Sequence, residues 1–230
     1  MNQNDLAGVV IVAAGTSSRM GGIDKVLTPL GHLPLILHTI NAFEQSAQVA
    51  YIVLVVATHN RAAIQGLVES YGYGKLSSVC IGGERRQDSV AKGLKALPDC
   101  NWVIVHDGAR PFVTQDVIEQ GLKQAKLTGS AVPVVPLKDT IKWVDDLNFV
   151  QSTPDRKTVV IAQTPQVFKR EILENAYSQV GDDVTDDATM VEKAGGRIAV
   201  FEGSYRNIKV TTPEDLKLAE LIISDGDFLM

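Results

Sequence analysis

A loop rich in small residues follows the apolar run from Val9 to Ala14. After Ala13 it reads AGTSSRMGGIDK and carries two cations, Arg19 and Lys25. Small residues let the backbone approach a ligand closely, and backbone amides together with cations can hold a polyphosphate. The spacing matches neither GxGxxG nor GxxxxGK[ST], which disfavours dinucleotide and P-loop sites. The loop therefore predicts a polyphosphate site of another kind, and a solvated surface loop is the open alternative.

A second glycine-containing turn runs from Gly82 to Ser89 and leads into an amphipathic segment. Free N–H groups at a helix start, together with the Ser89 hydroxyl, can meet the base or ribose of a nucleotide. Taken alone, the pattern fits equally well an ordinary strand-to-helix turn in which Asp88 is a cap.

An acid directly follows another apolar run, Trp102 to Val105, in the sequence HDGARP. A carboxylate after a buried strand can hold Mg²⁺, which shields phosphate charge. Asp107 is therefore the candidate metal and nucleotide residue. His106 is better explained as a partly buried imidazole bonded to backbone, and Arg110 as a residue that positions the loop.

Two further cations, Arg156 and Lys209, are candidates for binding a second phosphorylated molecule beside a nucleotide. Singly, each is typical of a solvated surface charge. Together with the two cations of the first loop they predict one positive pocket. The acidic run from Asp182 to Asp187 is predicted to cap a helix rather than to bind a metal.

The composition excludes several classes of protein. A chain of 230 residues with 45% hydrophobic and 21% charged positions fits one globular domain. A net charge of -5 argues against a general nucleic-acid or membrane surface, so an anionic ligand has to be held by local groups. The apolar runs are far shorter than the roughly 20 residues that cross a bilayer. Because residues 1–5 are polar and lack a basic residue, we expect a cytoplasmic protein.

Short apolar runs alternate with stretches of helical period, which is typical of an α/β fold built on a parallel sheet. The predicted strands are Gly8 to Ala14, Tyr51 to Ala57, Val79 to Ile81, Trp102 to His106, Ser130 to Pro136 and Ile198 to Phe201. Pro34 and Pro213 fit first helical positions. In such sheets ligands bind outside the carboxyl ends of the strands, where the three loops above lie.

A polar segment at about 138–156 interrupts this alternation. Thr140 to Val144 and Asn148 to Ser152 are predicted to be two short strands of a hairpin that projects from the domain. An isolated two-stranded arm is marginally stable in water. We therefore expect a second subunit to pack on it.

The combined motifs resemble the 2-C-methyl-D-erythritol 4-phosphate cytidylyltransferase family over nearly the whole chain. The matching stretches are AAG through Lys25, Gly82 through Val90, His106 through Pro111, Lys138 to Thr140, Gln163 to Gln166, Thr185 to Ala188, and Asn207 to Lys209 with Thr212 to Asp215. The resemblance implies a Rossmann-like three-layer sandwich of the nucleotide-diphospho-sugar transferase type, with a mostly parallel twisted sheet and a projecting β-arm.

The resemblance also implies a role for each matching residue. CTP would bind at Ala13, Ala14, Gly15, Gly82, Ser89 and Asp107, with Asp107 at the ribose or, directly or through water, at Mg²⁺ or another divalent cation. Arg19 and Lys25 would stabilise the pentacovalent phosphorus. Arg156 and Lys209 would complete the catalytic set and orient methylerythritol phosphate, and Thr140 and Arg156 would reach the site across a homodimer interface.

The implied reaction transfers the cytidylyl group of CTP to 2-C-methyl-D-erythritol 4-phosphate and releases pyrophosphate, in non-mevalonate isoprenoid precursor synthesis. The alternative is a ribitol 5-phosphate or other sugar-phosphate cytidylyltransferase, and a nucleotide-sensing module without catalysis is a further one. The first loop departs from the family pattern at Ala13 and Ser17, where Pro and Gly are frequent. These two substitutions affect the backbone of the loop and leave its cations in place.

Overall fold

The computed structural model of the protein describes residues 6–15 and 24–225. Within these residues an eight-stranded sheet forms the centre of the molecule. Its strands are β1 (Ala7–Ala13), β4 (Val49–Val56), β5 (Leu76–Ile81), β6 (Trp102–Asp107), β7 (Ser130–Pro136), β10 (Val160–Ala162), β11 (Gln166–Lys169) and β12 (Ala199–Glu202). Two short pairs stand apart from it, β2 (Pro29–Leu30) with β3 (Leu33–Pro34), and β8 (Trp143–Val144) with β9 (Val150–Ser152).

Helices connect most of these strands. In the described ranges they are α1 (Leu35–Glu44), α2 (Arg61–Tyr71), α3 (Arg86–Ala96), α4 (Gln115–Thr128), α5 (Arg170–Gln179), α6 (Asp187–Lys193) and α7 (Pro213–Ser224). Among the residues that the structure describes, no helix has the length and apolar character needed to cross a membrane.

The strand order is β10-β7-β11-β6-β1-β4-β5, with β12 beside β7. Strand β1 pairs in parallel with β4 and β6, and β4 pairs in parallel with β5. Strand β11 is inserted antiparallel between β6 and β7. The prediction of an α/β fold with a mostly parallel sheet is confirmed, and the carboxyl ends of β1, β4, β5 and β6 meet at one edge.

Alternation along the strands supplies a core on both faces of the sheet. In β1, Val9 and Ile11 contact the apolar cluster that includes α1, α2 and α4. Val10 points to the other face and contacts the cluster that includes α3, α5 and α6. A strand buried on both faces is apolar at successive positions, which is why β1 appears in the sequence as an uninterrupted run.

The local signals at helix starts are largely confirmed. Helix α7 begins at Pro213, where Thr212 and Asp215 form a capping box. Asp186 accepts a hydrogen bond from the Thr189 N–H and caps α6, as the capping interpretation of the acidic run requires. Helix α1 begins one residue after Pro34, which instead pairs in β3.

The hairpin predicted at about 138–156 is present as β8 and β9, although both strands are shorter than predicted. Its turn contains Asn148 with φ 64°, a left-handed conformation that asparagine tolerates well. The hairpin exposes large apolar side chains to solvent, namely Trp143, Val144, Leu147, Phe149 and Val150. An apolar surface of this kind is typical of an interaction site.

Candidate functional site

A cavity of about 270 Å³ lies at the carboxyl edge of the sheet. Its described lining comes from the ends of β1 and β6, the turn before β2, the β5–α3 turn and the segment after β12. The lining residues are Val12, Ala13, Ala14, Gly15, Lys25, Val26, Gly83, Glu84, Arg85, Arg86, Ser89, Asp107, Ala109 and Lys209. Four cationic side chains therefore face two acidic ones, which makes this wall positive in a chain of net charge -5.

Asp107, at the end of β6, is the centre of the charges in this cavity. Its Oδ2 lies 2.9 Å from Lys209 Nζ and 3.4 Å from Arg110 Nε, and its Oδ1 lies 3.3 Å from Arg86 Nε. Burial alone would raise the pKa of the Asp107 carboxyl, but Arg86, Lys209 and Arg110 outweigh burial and hold that pKa well below its usual range. Asp107 is therefore a carboxylate at neutral pH, and it orients three cations.

A second cavity of about 250 Å³ adjoins the first and shares Arg86, Asp107 and Lys209 with it. Its other described lining residues are Arg110, Ala162, Gln163, Thr164, Gln166, Thr185 and Asp186. Amide and hydroxyl groups dominate this lining, whereas the first cavity combines cations with small residues. The ion cluster around Asp107 thus forms a common wall between a cationic and a polar cavity.

Arg86 links the ion cluster to a buried acid behind it. Its Nη1 lies 2.7 Å from Oδ2 of Asp187, which is completely buried, and Tyr177 donates its hydroxyl proton to Oδ1 of Asp187 at 2.6 Å. Burial lowers the pKa of Arg86, but Asp187 and Asp107 outweigh it and raise that pKa above its usual range. Nη2 of Arg86 is buried and has no hydrogen-bond partner among the described residues.

His106 and Thr164 hold the backbone beneath Asp107. The Thr164 hydroxyl oxygen accepts the Asp107 N–H at 3.0 Å and lies 3.1 Å from His106 Nδ1, while His106 Nε2 lies 3.0 Å from the Arg110 carbonyl oxygen. Because a carbonyl only accepts, Nε2 carries the proton and Nδ1 accepts from Thr164. Burial lowers the pKa of His106 to about 4. The predicted hydrogen bond from His106 to backbone is confirmed, and the imidazole is completely rather than partly buried.

Arg110 positions its loop, as the sequence predicts. Its Nη1 donates to the Asn207 carbonyl oxygen at 2.7 Å, and the Val210 N–H donates to the Ala109 carbonyl oxygen at 2.8 Å. These bonds tie the segment that carries Lys209 to the loop that carries Asp107. Lys209 therefore reaches the site although no strand of the central sheet contains it.

The β5–α3 turn allows its backbone to approach β1 closely. A Cβ at Gly82 would lie 2.4 Å from Ala14 Cβ and 2.6 Å from Ser89 Oγ, so a side chain there would displace one of them. The Ser89 hydroxyl accepts the Gly83 N–H at 3.0 Å and donates to the Arg85 carbonyl oxygen at 3.2 Å. Gly82 does not line the first cavity. It lines a neighbouring cavity together with Ala14 and Gly83. Ser89 thus orders the turn that faces the cavity.

The structure brings together most of the residues singled out in the sequence. Ala13, Ala14, Gly15, Lys25, Ser89, Asp107 and Lys209 line the first cavity. Arg19 and Ser17 lie outside the described residues. Thr140 and Arg156 are exposed at the base of the arm, and neither lines the two cavities of its own chain. Arg156 donates from Nη1 to the Lys138 carbonyl oxygen at 3.3 Å.

Arg86 lines both cavities and was not singled out in the sequence analysis. It occupies the first position of α3 and follows Arg85 at the N-cap. Arg85 pairs with Asp88 in the first turn of α3, whereas Arg86 pairs with the distant acids Asp107 and Asp187, which no local pattern in the sequence indicates. Gln163 and Gln166 were likewise unassigned, and both face the polar cavity.

The residues present fit a magnesium ion only in the company of phosphate oxygens. Among the described residues there is no group of three His, Cys, Asp or Glu side chains able to hold a metal ion. Both oxygens of Asp107 already contact cations. Because Mg²⁺ commonly binds through one or two carboxylates plus substrate phosphates, one carboxylate beside a phosphate-sized cationic cavity meets its minimum requirement.

Comparisons with known proteins agree with this geometry. The sequence profile of the family described as IspD, 2-C-methyl-D-erythritol 4-phosphate cytidylyltransferase, matches residues 7–225. A protein of that name from Dehalococcoides mccartyi is 48% identical over 223 residues, covering 97% of this chain and 98% of the relative.

Solved structures show the same fold. The 4-diphosphocytidyl-2C-methyl-D-erythritol synthase of Anaerococcus prevotii superposes with a TM-score of 0.85 at 28% identity, covering 96% of this chain and 99% of the other. The 2-C-methyl-D-erythritol 4-phosphate cytidylyltransferase of Thermus thermophilus superposes with a TM-score of 0.76 at 30% identity, covering 94% of this chain and 98% of the other. The chain therefore belongs to the 2-C-methyl-D-erythritol 4-phosphate cytidylyltransferase family.

Proposed function

We propose that this enzyme transfers the cytidylyl group of CTP to 2-C-methyl-D-erythritol 4-phosphate, giving 4-diphosphocytidyl-2-C-methyl-D-erythritol and pyrophosphate. The observation that carries the proposal is the pair of adjoining cavities that share Arg86, Asp107 and Lys209. The cationic cavity suits a triphosphate and the polar cavity suits a polyol phosphate. The shared wall is where the two anionic groups would meet.

The chemistry requires charge neutralisation more than a general base. A phosphate monoester with a second pKa of about 6 is already largely dianionic at neutral pH, so it needs no deprotonation to act as a nucleophile. One of its oxygens attacks the α-phosphorus of CTP in line with the bond to the β-phosphate. A new P–O bond forms, the α–β P–O bond breaks, and pyrophosphate leaves with that electron pair.

Lys25 and Lys209 supply fixed positive charge to this transfer. Both residues line the cationic cavity, and Asp107 holds the Lys209 ammonium group in place. Charges that are already oriented stabilise developing negative charge without reorganisation during the reaction. Arg19 is proposed to act with them from the first loop. Arg86 lines both cavities and adds a third fixed positive charge to the wall that they share.

Mg²⁺ or another divalent cation is part of the proposal, and Asp107 would hold it directly or through water. When bound, the ion neutralises charge on the triphosphate oxygens. The backbone of Ala13, Ala14 and Gly15 would hold the nucleotide against the end of β1, and Gly82 and Ser89 would lie near the cytosine. The small residues at these positions support the proposal because they permit close backbone approach.

A homodimer is proposed to complete the site. Thr140 and Arg156 lie at the base of the arm, outside both cavities of their own chain, whereas the arm exposes an apolar surface. Burying that surface against a second copy would offset the marginal stability of a two-stranded arm. It would also let Thr140 and Arg156 of one copy orient the polyol phosphate of the other. We place the reaction in the cytoplasm, since nucleoside triphosphates are held inside cells.

Pyrophosphate release tests the proposed function directly. The purified protein is assayed with CTP, ATP, GTP or UTP, each with methylerythritol phosphate or ribitol 5-phosphate, in Mg²⁺ or in EDTA. We expect release with CTP and methylerythritol phosphate in Mg²⁺ and loss of release in EDTA. Preference for ribitol 5-phosphate would assign the enzyme to the alternative substrate, and CTP binding without release in any arm would indicate a sensing module.

A further inference from the structure

We propose that Asp24, held by Asn60, is a positioning residue for Lys25. The inference rests on the proposed function, because it assigns Asp24 a role through the cation that faces the nucleotide. It concerns the short turn between the first loop and β2, whose described part begins at Asp24. Neither Asp24 nor Asn60 was a candidate in the sequence.

The carboxylate of Asp24 joins this turn to a different part of the sheet edge. Its Oδ2 accepts a hydrogen bond from Asn60 Nδ2 at 2.6 Å and lies 3.2 Å from His59 Nε2. Its Oδ1 accepts the Val26 N–H at 3.2 Å. One oxygen therefore binds the β4–α2 connection, while the other binds the backbone on the far side of Lys25.

The residue after Lys25 is anchored independently. Val26 is buried in the core, and its carbonyl oxygen accepts the Ile36 N–H at 3.0 Å. The Asp24 carbonyl oxygen accepts the Leu27 N–H at 3.1 Å and the Thr28 hydroxyl at 3.1 Å. Lys25 thus stands between two fixed neighbours, and its stem leaves the turn at a defined place on the cavity wall.

Asn60 is a firm anchor because it is itself immobilised. It is only 3% exposed and is the N-cap of α2, where its carbonyl oxygen accepts the Ile64 N–H at 3.0 Å. Its side-chain Oδ1 is buried without a hydrogen-bond partner. A buried polar atom without a hydrogen-bond partner costs free energy. The hydrogen bond from Asn60 Nδ2 to Asp24 offsets part of that cost.

The physical consequence concerns the position of the Lys25 ammonium group. Lysine has a flexible four-carbon stem, so the place from which the stem departs determines where the charge can lie. Misplacing a catalytic group by about 1 Å can lower turnover by about a hundredfold. Without the Asp24 to Asn60 bond, the turn would keep its anchor at Val26, and Oδ2 of Asp24 would keep only the longer contact to the exposed His59 side chain.

Exchanging the two partners tests the bond without changing their size. In Asp24→Asn, the side chain keeps one of the two oxygens that accept hydrogen bonds from Asn60 and Val26. In Asn60→Asp, the new carboxylate faces the carboxylate of Asp24. We expect each single variant to lower kcat/KM for CTP by about 10- to 100-fold. In the double variant Asp24→Asn/Asn60→Asp, the amide of residue 24 can donate to the carboxylate of residue 60. We expect this exchange to restore kcat/KM to within about threefold of wild type.

A matched control and a fold measurement separate positioning from general damage. Glu69→Gln removes one exposed acid from the same helix as Asn60 and should leave kcat/KM unchanged. The Asn60 side chain makes no cap hydrogen bond to α2, so Asn60→Asp removes none and should remain folded at the assay temperature in thermal unfolding. With a merely structural role, the loss of kcat/KM would follow the loss in the unfolding midpoint from variant to variant, whereas a positioning role lowers kcat/KM in protein that is still fully folded.

The role through Lys25 is tested in a Lys25→Ala background. There the Asp24→Asn and Asn60→Asp changes should have no further effect, because the group they position is gone. The inference would be overturned if the single variants had wild-type kcat/KM. It would also be overturned if they lowered kcat/KM by the same factor in the Lys25→Ala background as in the wild type. Absence of pyrophosphate release by the wild-type protein would instead overturn the proposed function. The role of the Asp24–Asn60 pair would then be tested by measuring CTP affinity by calorimetry. The single variants should weaken CTP binding, and the double variant should restore it.

Discussion

Lys209 Nζ lies 2.9 Å from Asp107 Oδ2, an ion pair that joins the segment after β12 to the end of β6. The same carboxylate also contacts Arg86 and Arg110. One acid thus orients three cations beside the two cavities, and its negative charge limits their mutual repulsion.

Removing this charge should damage both stability and turnover. Asp107→Asn keeps the size of the side chain but leaves three cations without their common partner. We expect a loss of about 3 kcal/mol in the free energy of unfolding, because breaking a buried ion pair leaves charge uncompensated. We expect turnover to fall by about a hundredfold.

Urea unfolding and steady-state turnover measure the two effects. Asp116→Asn, at an exposed position in the first turn of α4, is the matched control and should cost less than about 1 kcal/mol. An Asp107→Asn protein with wild-type stability would contradict the clustering of the three cations around this residue.

Lys25→Ala should reduce turnover with CTP and methylerythritol phosphate by about a hundredfold, because one oriented charge on the transferring phosphate is lost. The assay is pyrophosphate release at saturating substrates. Lys123→Ala removes an exposed lysine of α4 that lines neither cavity of the site, and it should have no effect. Retention of wild-type turnover by Lys25→Ala would remove Lys25 from the proposed catalytic set.

His106 should make the fold sensitive to mild acid. Burial lowers the pKa of His106 from 6.5 to about 4 in the folded protein, whereas the unfolded chain titrates near the ordinary value. The unfolded state therefore takes up the proton first, and the stability due to neutral His106 is lost as pH falls from about 6.5 to about 4. The linked loss is at most about 3 kcal/mol.

Urea unfolding at a series of pH values measures this dependence. His106→Gln should lower stability at neutral pH but should flatten the curve between pH 6.5 and pH 4, since the titrating group is absent. His32→Gln changes an exposed histidine and should leave the curve unchanged. A His106→Gln curve parallel to that of wild type would show that another group accounts for the acid sensitivity.

The arm should control association. Leu147 is 76% exposed and Phe149 is 69% exposed, both on the hairpin. The double variant Leu147→Asp/Phe149→Asp places two charges on the surface that is proposed to be buried between subunits. We expect light scattering to show the 24.8 kDa monomer. We expect turnover to fall as well, because Thr140 and Arg156 no longer reach the site of a second copy.

Leu127→Asp, at an equally exposed position on α4, is the control and should leave the mass of the wild-type assembly unchanged. A wild-type protein that is a fully active monomer at assay concentrations would refute the dimer.

Much of the fold could be predicted because its central strands are buried on both faces. Ser130 to Pro136 was predicted at its observed bounds, and β1 and β6 within one residue. Strands β10 and β11 were missed. Val160–Ala162 is a short apolar run like the predicted Val79 to Ile81, so its pattern was present in the sequence and was overlooked. Gln166–Lys169 has only two apolar residues between polar ones, which is too short a signal for a buried strand.

The sequence by itself determined the types and order of the groups that can act on phosphate. Lys25, Asp107 and Lys209 were identifiable because each stands in a motif next to an apolar run or a turn. The motifs were also sufficient to predict the family. Local chemistry likewise determined the helix starts at Thr212 and Asp186, since capping depends on residues only three positions apart.

Only the tertiary structure decided which charges meet. The parallel pairing of β6 with β1 brings Asp107 to the same edge as Lys25, and hydrogen bonds from Arg110 and Val210 bring Lys209 there. Arg86 and Asp24 acquired roles from partners far away in the chain, Asp187 and Asn60. The physical reason is that an ion pair depends on distance in space. Strand order and register set that distance, and neither can be deduced from the positions of charged residues in the sequence.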